Sequence, residues 1–132
     1  MGERFKTERN IYMNEIKLKR LLIEDLTTIG VPTDFNLNIK GYSKCYNGLY
    51  NPRKREVVIY AKEENGEFRD YSILLMTALH EATHHFQYNY QKGFKRVKGV
   101  MHSPTFYSIY NTYTQKARKI NLLSEGDLQN EL

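Results

Sequence analysis

The chain has 132 residues, the size of one ordinary domain, and 40% of them are hydrophobic, which suffices for one packed core and excludes a wholly disordered protein. Its 20 lysines and arginines outnumber 15 acidic residues, so the formal net charge of +5 favours nucleic acid or acidic proteins as partners over cations. The single cysteine excludes an internal disulfide, and neither a signal-like apolar segment nor a bilayer-length apolar run is present, so we expect a cytoplasmic protein without membrane contact.

The first predicted element is a helix over about residues 4–29. Its apolar positions recur at helical spacing and form one stripe, which consists of Leu18, Leu22, Leu26 and Ile29. Gly30 suits a left-handed C-cap and Pro32 cannot continue a helix, so the helix is expected to end at this point.

A short sheet is predicted next. In "FNLNIKGY" the side chains of Phe35, Leu37 and Ile39 alternate onto one face, and "REVVIYA" (55–61) is apolar on both faces, as in a covered strand. Between them, "CYNGLYNPRK" contains Asn-Gly and Asn-Pro turn signals. We expect a small three-stranded antiparallel sheet, with Cys45 as a half-buried strand residue.

Two helices complete the predicted core, which covers about residues 35–120. Asp70 is a suitable N-cap for a helix over about 71–91. After the basic loop "QKGFKRVKGV", Ser103 and Pro104 fit the N-cap and first position of a second helix. The remaining residues, 121–132, are expected to form a polar tail. The whole chain, 1–132, is thus predicted to be one α+β domain.

The chemically informative segment is "LHEATHHF", in which His80, Glu81 and His84 spell the pattern H-E-x-x-H. On a helix, residues i and i+4 lie one turn apart on the same face, so these two imidazoles can bind one zinc ion. Glu81 lies beside them and can accept a proton from a zinc-activated water. This combination is typical of metal-dependent amide hydrolysis.

A catalytic zinc needs a third protein ligand and an open fourth position. His102 is the remaining histidine outside the motif segment, and it directly precedes the N-cap of the next helix. An acidic ligand is the alternative, but the next acidic residue after Glu81 is Glu125, in the polar tail, so His102 is favoured. His85 points away from the metal face; it either bonds Glu81 or is a satisfied polar residue at the helix boundary.

The segments "HEATHHF" and "HSPTF" together resemble the SprT-like metalloprotease family, whose pattern is H-E-x-x-H followed, after roughly twenty residues, by H-G-x-x-F. The resemblance reaches from about residue 41 to 113. It implies a zincin-like fold with an N-terminal helix, one Zn²⁺ per chain bound by His80, His84 and His102, and Glu81 as general base. It also implies that Phe106 anchors the last helix in the core.

Two features of the chain depart from that family pattern. Position 103 is serine where the family usually has glycine, which retains the helix start but can alter the backbone near the metal. No cysteine follows Cys45, so the chain corresponds to a short form without the C-terminal zinc ribbon that many members carry.

Further candidate residues surround the motif. The basic loop residues can contact nucleic-acid phosphates or a substrate at the rim of the site, or simply be solvated; they are Lys92, Lys95, Arg96 and Lys98. Tyr107 or Tyr110 can donate a hydrogen bond to the oxyanion of a tetrahedral intermediate, although Tyr110 and Tyr113 also have the spacing of core residues.

The expected function is zinc-dependent hydrolysis of peptide bonds in protein or peptide substrates, with DNA as a further partner suggested by the family resemblance. The alternative is a DNA- or protein-binding module in which the zinc is structural and nothing is catalysed. A fourth protein ligand would mark that alternative.

Overall fold

The computed structural model describes residues 14–124, which form three helices and one three-stranded sheet. In chain order the elements are α1 (Glu15–Ile29), β1 (Asn36–Lys40), β2 (Gly48–Asn51), β3 (Glu56–Tyr60), α2 (Tyr71–Asn89) and α3 (Pro104–Lys119). The predicted α+β class is confirmed.

Local signals in the sequence set both ends of α1 as the structure describes it. Asn14 occupies the N-cap, where its side chain accepts a 2.8 Å hydrogen bond from the Lys17 amide. Gly30 adopts a left-handed conformation at φ 99° and donates its amide to the carbonyls of Leu26 and Thr27, as its position predicts. The other part of the predicted helix, residues 4–13, lies outside the described residues.

The sheet is mixed, so the prediction of an antiparallel sheet was wrong. The strand order is β1-β3-β2, with β1 parallel and β2 antiparallel to β3. After β1, the loop 41–47 passes the end of the position that β3 occupies, and β2 then runs in the opposite direction to β1. A short turn after Asn51 leads into β3, which lies between β1 and β2. β3 takes the centre because its side chains are apolar on both faces, with Val57, Val58 and Ile59 buried.

The segment with turn signals contains β2 as well as turns. Asn51 and Glu56 close the β2–β3 hairpin, and Asn51 Oδ1 accepts hydrogen bonds from the amides of Arg53 and Lys54. Cys45 lies in the loop before β2 and is exposed, so its predicted place in a half-buried strand was wrong.

Both remaining helices begin where the sequence predicts. Asp70 occupies the N-cap of α2, and its carbonyl accepts from the amides of Ile73 and Leu74. Ser103 caps α3 through a 3.1 Å hydrogen bond from the Phe106 amide to its hydroxyl, with Pro104 in the first turn.

The hydrophobic core lies between the sheet and the helices. The motif helix α2 packs on β2, β3 and α3, while α1 packs on β1 and on both other helices. Leu123 is buried and Leu122 packs against the core, so the start of the predicted polar tail (121–132) belongs to the domain; residues 125–132 lie outside the described part. Across residues 14–124, no helix is both long and apolar enough to cross a bilayer, and the cytoplasmic location stays a prediction.

Candidate metal centre and its cleft

Three histidines converge where α2 meets the start of α3. One ring nitrogen from each of His80, His84 and His102 lies within 4.8 Å of the other two. The Nε2 atoms of His80 and His102 are 3.0 Å apart. Two nitrogens bound to one tetrahedral zinc at ordinary bond lengths are about 3.3 Å apart, so the donor set fits such an ion. Among residues 14–124, no fourth His, Cys, Asp or Glu joins this group.

The ring of Phe106 packs against all three imidazoles. Its ring is fully buried, and its centroid lies 4.9, 4.5 and 4.8 Å from those of His80, His84 and His102. The Ser103 cap fixes the first turn of α3 and thereby the distance from Phe106 to His102. The anchoring position expected for Phe106 is confirmed.

The environment keeps these imidazoles neutral at physiological pH. Burial, followed by the nearby His102, lowers the pKa of His80 to about 4. Burial and the two other imidazoles lower the pKa of His84 to about 3. Burial also lowers the pKa of His102. A neutral imidazole presents the free nitrogen lone pair that a metal ion requires.

Glu81 lies between the motif helix and the edge strand β2. Its side chain is 7% exposed and lines the same cleft as the histidines. Gly48 permits this arrangement, because a Cβ at that position would lie 2.8 Å from Thr77 Cγ2, 3.0 Å from the Val58 carbonyl oxygen and 3.1 Å from Glu81 Cγ. Because Gly48 has no side chain, strand β2 can approach α2 closely at the position of Glu81.

The cleft has a volume of about 590 Å³ and runs between β2, the second half of α2 and the segment that leads to α3. His80, Glu81, His84 and His102 all line it. A cavity of this size accommodates several side chains of a peptide. Glu81 therefore borders the same cleft as the metal-ligand group.

Only some of the basic residues in the loop after α2 line the cleft. Lys95 and Arg96 line it, whereas Lys92 and Lys98 are exposed and do not line it. A rim role for any of these four residues stays a prediction.

The tyrosines of α3 differ in position. Tyr107 is 47% exposed, with its ring 5.9 Å from that of His102, whereas Tyr110 is buried with its ring 5.7 Å from that of His80. Tyr113 is half-buried and packs against the core, and burial raises its pKa. Both candidate oxyanion donors thus adjoin the histidine group, and their catalytic role stays a prediction.

His85 belongs to a hydrogen-bond network that sequence reasoning missed, in which the imidazole is buried and its partner Asp34 is exposed. The imidazole is fully buried; Nε2 lies 2.8 Å from Asp34 Oδ1, and Nδ1 lies 2.8 Å from the Tyr50 hydroxyl. Because an ionised carboxylate only accepts, Nε2 carries the proton, and in the neutral ring Nδ1 accepts from Tyr50. Both ring nitrogens are therefore engaged, as expected of a satisfied polar residue, by partners that lie on β2 and before β1.

The second carboxylate oxygen of Asp34, Oδ2, accepts two further hydrogen bonds. The Tyr90 hydroxyl donates at 2.5 Å and Arg55 Nη2 at 2.6 Å. The hydrogen bonds from Tyr90 and His85 lower the pKa of Asp34 from 3.8 to about 2. The hydrogen bond between Tyr90 and Asp34 also raises the pKa of Tyr90, and burial raises the pKa of Tyr50. The sequence signalled this network only through the surplus histidine beside the motif.

Comparisons of the chain with protein-family models, with curated proteins and with solved structures give no match.

Proposed function

We propose that the protein is a zinc-dependent metallopeptidase of zincin-like fold that hydrolyses peptide bonds in protein substrates. The observation that carries the proposal is the placement of three convergent imidazoles and one glutamate along one open cleft. The resemblance of "HEATHHF" and "HSPTF" to the SprT-like family, which rests on the same four residues, agrees with it.

The residues of this chain have distinct roles in the proposed reaction. A zinc ion held by His80, His84 and His102 would act as the Lewis acid and make water acidic enough to lose a proton near neutral pH. Glu81 accepts that proton and transfers it to the amine that leaves when the peptide bond breaks. Tyr107, which is exposed beside His102, donates a hydrogen bond to the carbonyl oxygen as negative charge develops on it, whereas Tyr110 is buried.

The arrangement favours catalysis over a structural zinc. A structural site is closed by four protein ligands, whereas the histidine group within residues 14–124 has three members and borders a cleft. Glu81 also lines the cleft that the three histidines line, where a carboxylate can exchange a proton with a bound water.

The Glu81→Gln variant tests the proposal. Glutamine keeps the size of the side chain but cannot take the proton, so peptide cleavage should fall by roughly 10²-fold or more while zinc content stays near one per chain. His102→Ala is the matched control for the metal, because it should lose zinc as well as activity. Peptide cleavage that survives in Glu81→Gln, or zinc that stays fully bound in His102→Ala, would contradict the proposed roles.

We further propose that single-stranded DNA contacts the cleft rim. Lys95 and Arg96 supply the positive charge there, beside the ring of Phe94. Replacing both by alanine should reduce the slope of log affinity against log salt concentration by about 0.7 for each phosphate that is no longer neutralised. Lys92→Ala/Lys98→Ala is the control, since these side chains do not line the cleft and should leave the slope nearly unchanged. Equal slopes in all three proteins would refute DNA binding at this rim.

A further inference from the structure

One side of the cleft is a row of aromatic rings that the catalytic proposal does not use. Tyr50, Tyr88 and Phe94 all line the cleft, and we call them the aromatic wall. The ring centroids of Tyr50 and Tyr88 are 5.9 Å apart, and those of Tyr88 and Phe94 are 5.1 Å apart. Tyr88 follows His84 by one helical turn, so the wall begins next to the metal-ligand group.

The first ring of the wall is held by the hydrogen-bond network around His85. The Tyr50 hydroxyl contacts His85 Nδ1 and accepts a 3.0 Å hydrogen bond from Asn89 Nδ2. His85 is in turn fixed by its hydrogen bond to Asp34 and by a T-shaped contact with the Phe35 ring, at 5.1 Å between centroids. The hydroxyl of Tyr50 is therefore hydrogen-bonded within the protein, which holds the Tyr50 ring in one position where it lines the cleft. A surface that is already ordered loses little conformational entropy when it binds a ligand.

The remaining lining gives the cleft an apolar and basic character near the wall. Val97, Val100 and Met101 are exposed to 59, 49 and 70% and also line the cleft. Lys95 and Arg96, next to Phe94 in sequence, are the cations of that lining. Contiguous exposed apolar side chains in a cleft are typical of a binding site.

We propose that the aromatic wall is the subsite for a bulky apolar side chain of the substrate, aromatic in first preference, with an acidic residue beside it facing Lys95 and Arg96. This inference rests on the proposed peptidase function and names the class of peptide that the cleft selects. Aromatic rings pair with aromatic rings in tilted or edge-to-face geometry, which the wall already shows among its own members. His85 and Asp34 are positioning residues, because they act on the substrate only through Tyr50.

The test begins with a peptide library digested by the zinc-loaded protein. One position near the cleaved bond should be enriched in Phe, Tyr, Leu or Met. Two peptides that differ only by Phe or Ala at that position should then differ by about tenfold or more in kcat/KM. A ratio near one in the wild-type protein overturns the inference.

Variants assign the preference to the wall. In Tyr88→Ala and in Phe94→Ala the Phe/Ala ratio should fall toward one. Tyr42→Ala, an exposed tyrosine outside the cleft lining, is the matched control and should keep the wild-type ratio. Phe94 lies in the loop after α2, where a substitution disturbs folding less than one within the helix. Phe94→Ala therefore still tests the assignment if Tyr88→Ala does not fold. An unchanged ratio in Phe94→Ala and Tyr88→Ala refutes the assignment.

Tyr50→Phe tests the positioning network. The ring remains but its hydrogen bond to His85 is removed, so KM should rise several-fold more for the Phe peptide than for the Ala peptide, with little change in kcat. A purely structural role would lower the melting temperature and leave the ratio of the two KM values unchanged, which would remove the positioning role.

Binding without cleavage separates this inference from the proposed function. Fluorescence anisotropy of the labelled Phe and Ala peptides with Glu81→Gln measures affinity alone. If the wild-type protein cuts nothing while Glu81→Gln binds the Phe peptide several-fold more tightly, the peptidase proposal fails and the subsite stands. If cleavage occurs and the two peptides bind equally, the subsite fails and the peptidase stands.

Discussion

At the scale of single residues, the sequence predicts the parts of the site that local periodicity controls. The spacing of His80 and His84 places both rings on one helical face wherever the helix forms. His102 follows by elimination, since it is the one histidine outside the motif segment. Asp34 and Tyr50 could not be predicted, because both contact His85 across long sequence separations. These contacts depend on how the sheet packs on α2.

The ionisation of Asp34 gives a residue-scale prediction about pH. Its pKa is lowered from 3.8 to about 2, so the ionised carboxylate stabilises the folded protein at pH values above 4. That contribution should disappear as the pH falls through about 2, and Asp34→Asn should lack it throughout. The free energies of unfolding of the two proteins should therefore converge between pH 5 and pH 2.

Side-chain carbon NMR measures the same quantity directly. The Asp34 carboxyl signal should titrate with a midpoint near 2. A midpoint at the ordinary value of 3.8 would show that the bonds from Tyr90 and His85 do not hold the carboxylate in solution.

At the scale of elements, the helices are more predictable than the sheet. Their caps are local signals: Gly30, Asp70 and Ser103 each occupy the predicted terminal position. Strand pairing is not local, and the alternation of apolar residues in β1 is the same whether its neighbour is parallel or antiparallel. The apolar character of β3 does predict that it is covered, and the central place in the order β1-β3-β2 meets that requirement.

Gly48 gives the element-scale prediction. In Gly48→Ala the new methyl group would press against Thr77 Cγ2 and the backbone of Val58, so β2 must shift away from α2. Such overpacking should cost about 1–3 kcal/mol in the free energy of unfolding, which urea denaturation measures. The proposed peptidase activity should fall as well, because the new methyl group would also lie 3.1 Å from Glu81 Cγ.

Gly41→Ala is the matched control for this variant. Gly41 lies in the loop before β2 and has no left-handed conformation, and a Cβ there meets nothing within 4 Å. Its free energy of unfolding should stay within roughly 0.5 kcal/mol of the wild type. Equal destabilisation of the two variants would show that the close approach of β2 to α2 is unimportant.

At the scale of the whole molecule, α2 links the scaffold to the site. One part of its surface is buried against the sheet and the other helices, and another presents His80, Glu81 and His84 to the cleft. His102 joins them from the far end of the segment that connects α2 to α3. A metal bound there would thus hold the two helices together, which couples metal affinity to stability.

The parallel pairing of β1 with β3 has a consequence for the order in which the chain folds. The β2–β3 hairpin needs only a tight turn, whereas the pairing of Asn36 with Glu56 joins residues that are far apart in the chain. We expect the hairpin in the folding transition state and β1 to dock afterwards, with the Asp34–His85 bond closing last. Stopped-flow kinetics should give a high Φ value for Leu49→Ala, in β2, and a low one for Leu37→Ala, in β1. The reverse order of Φ values would mean that the parallel pair nucleates the sheet.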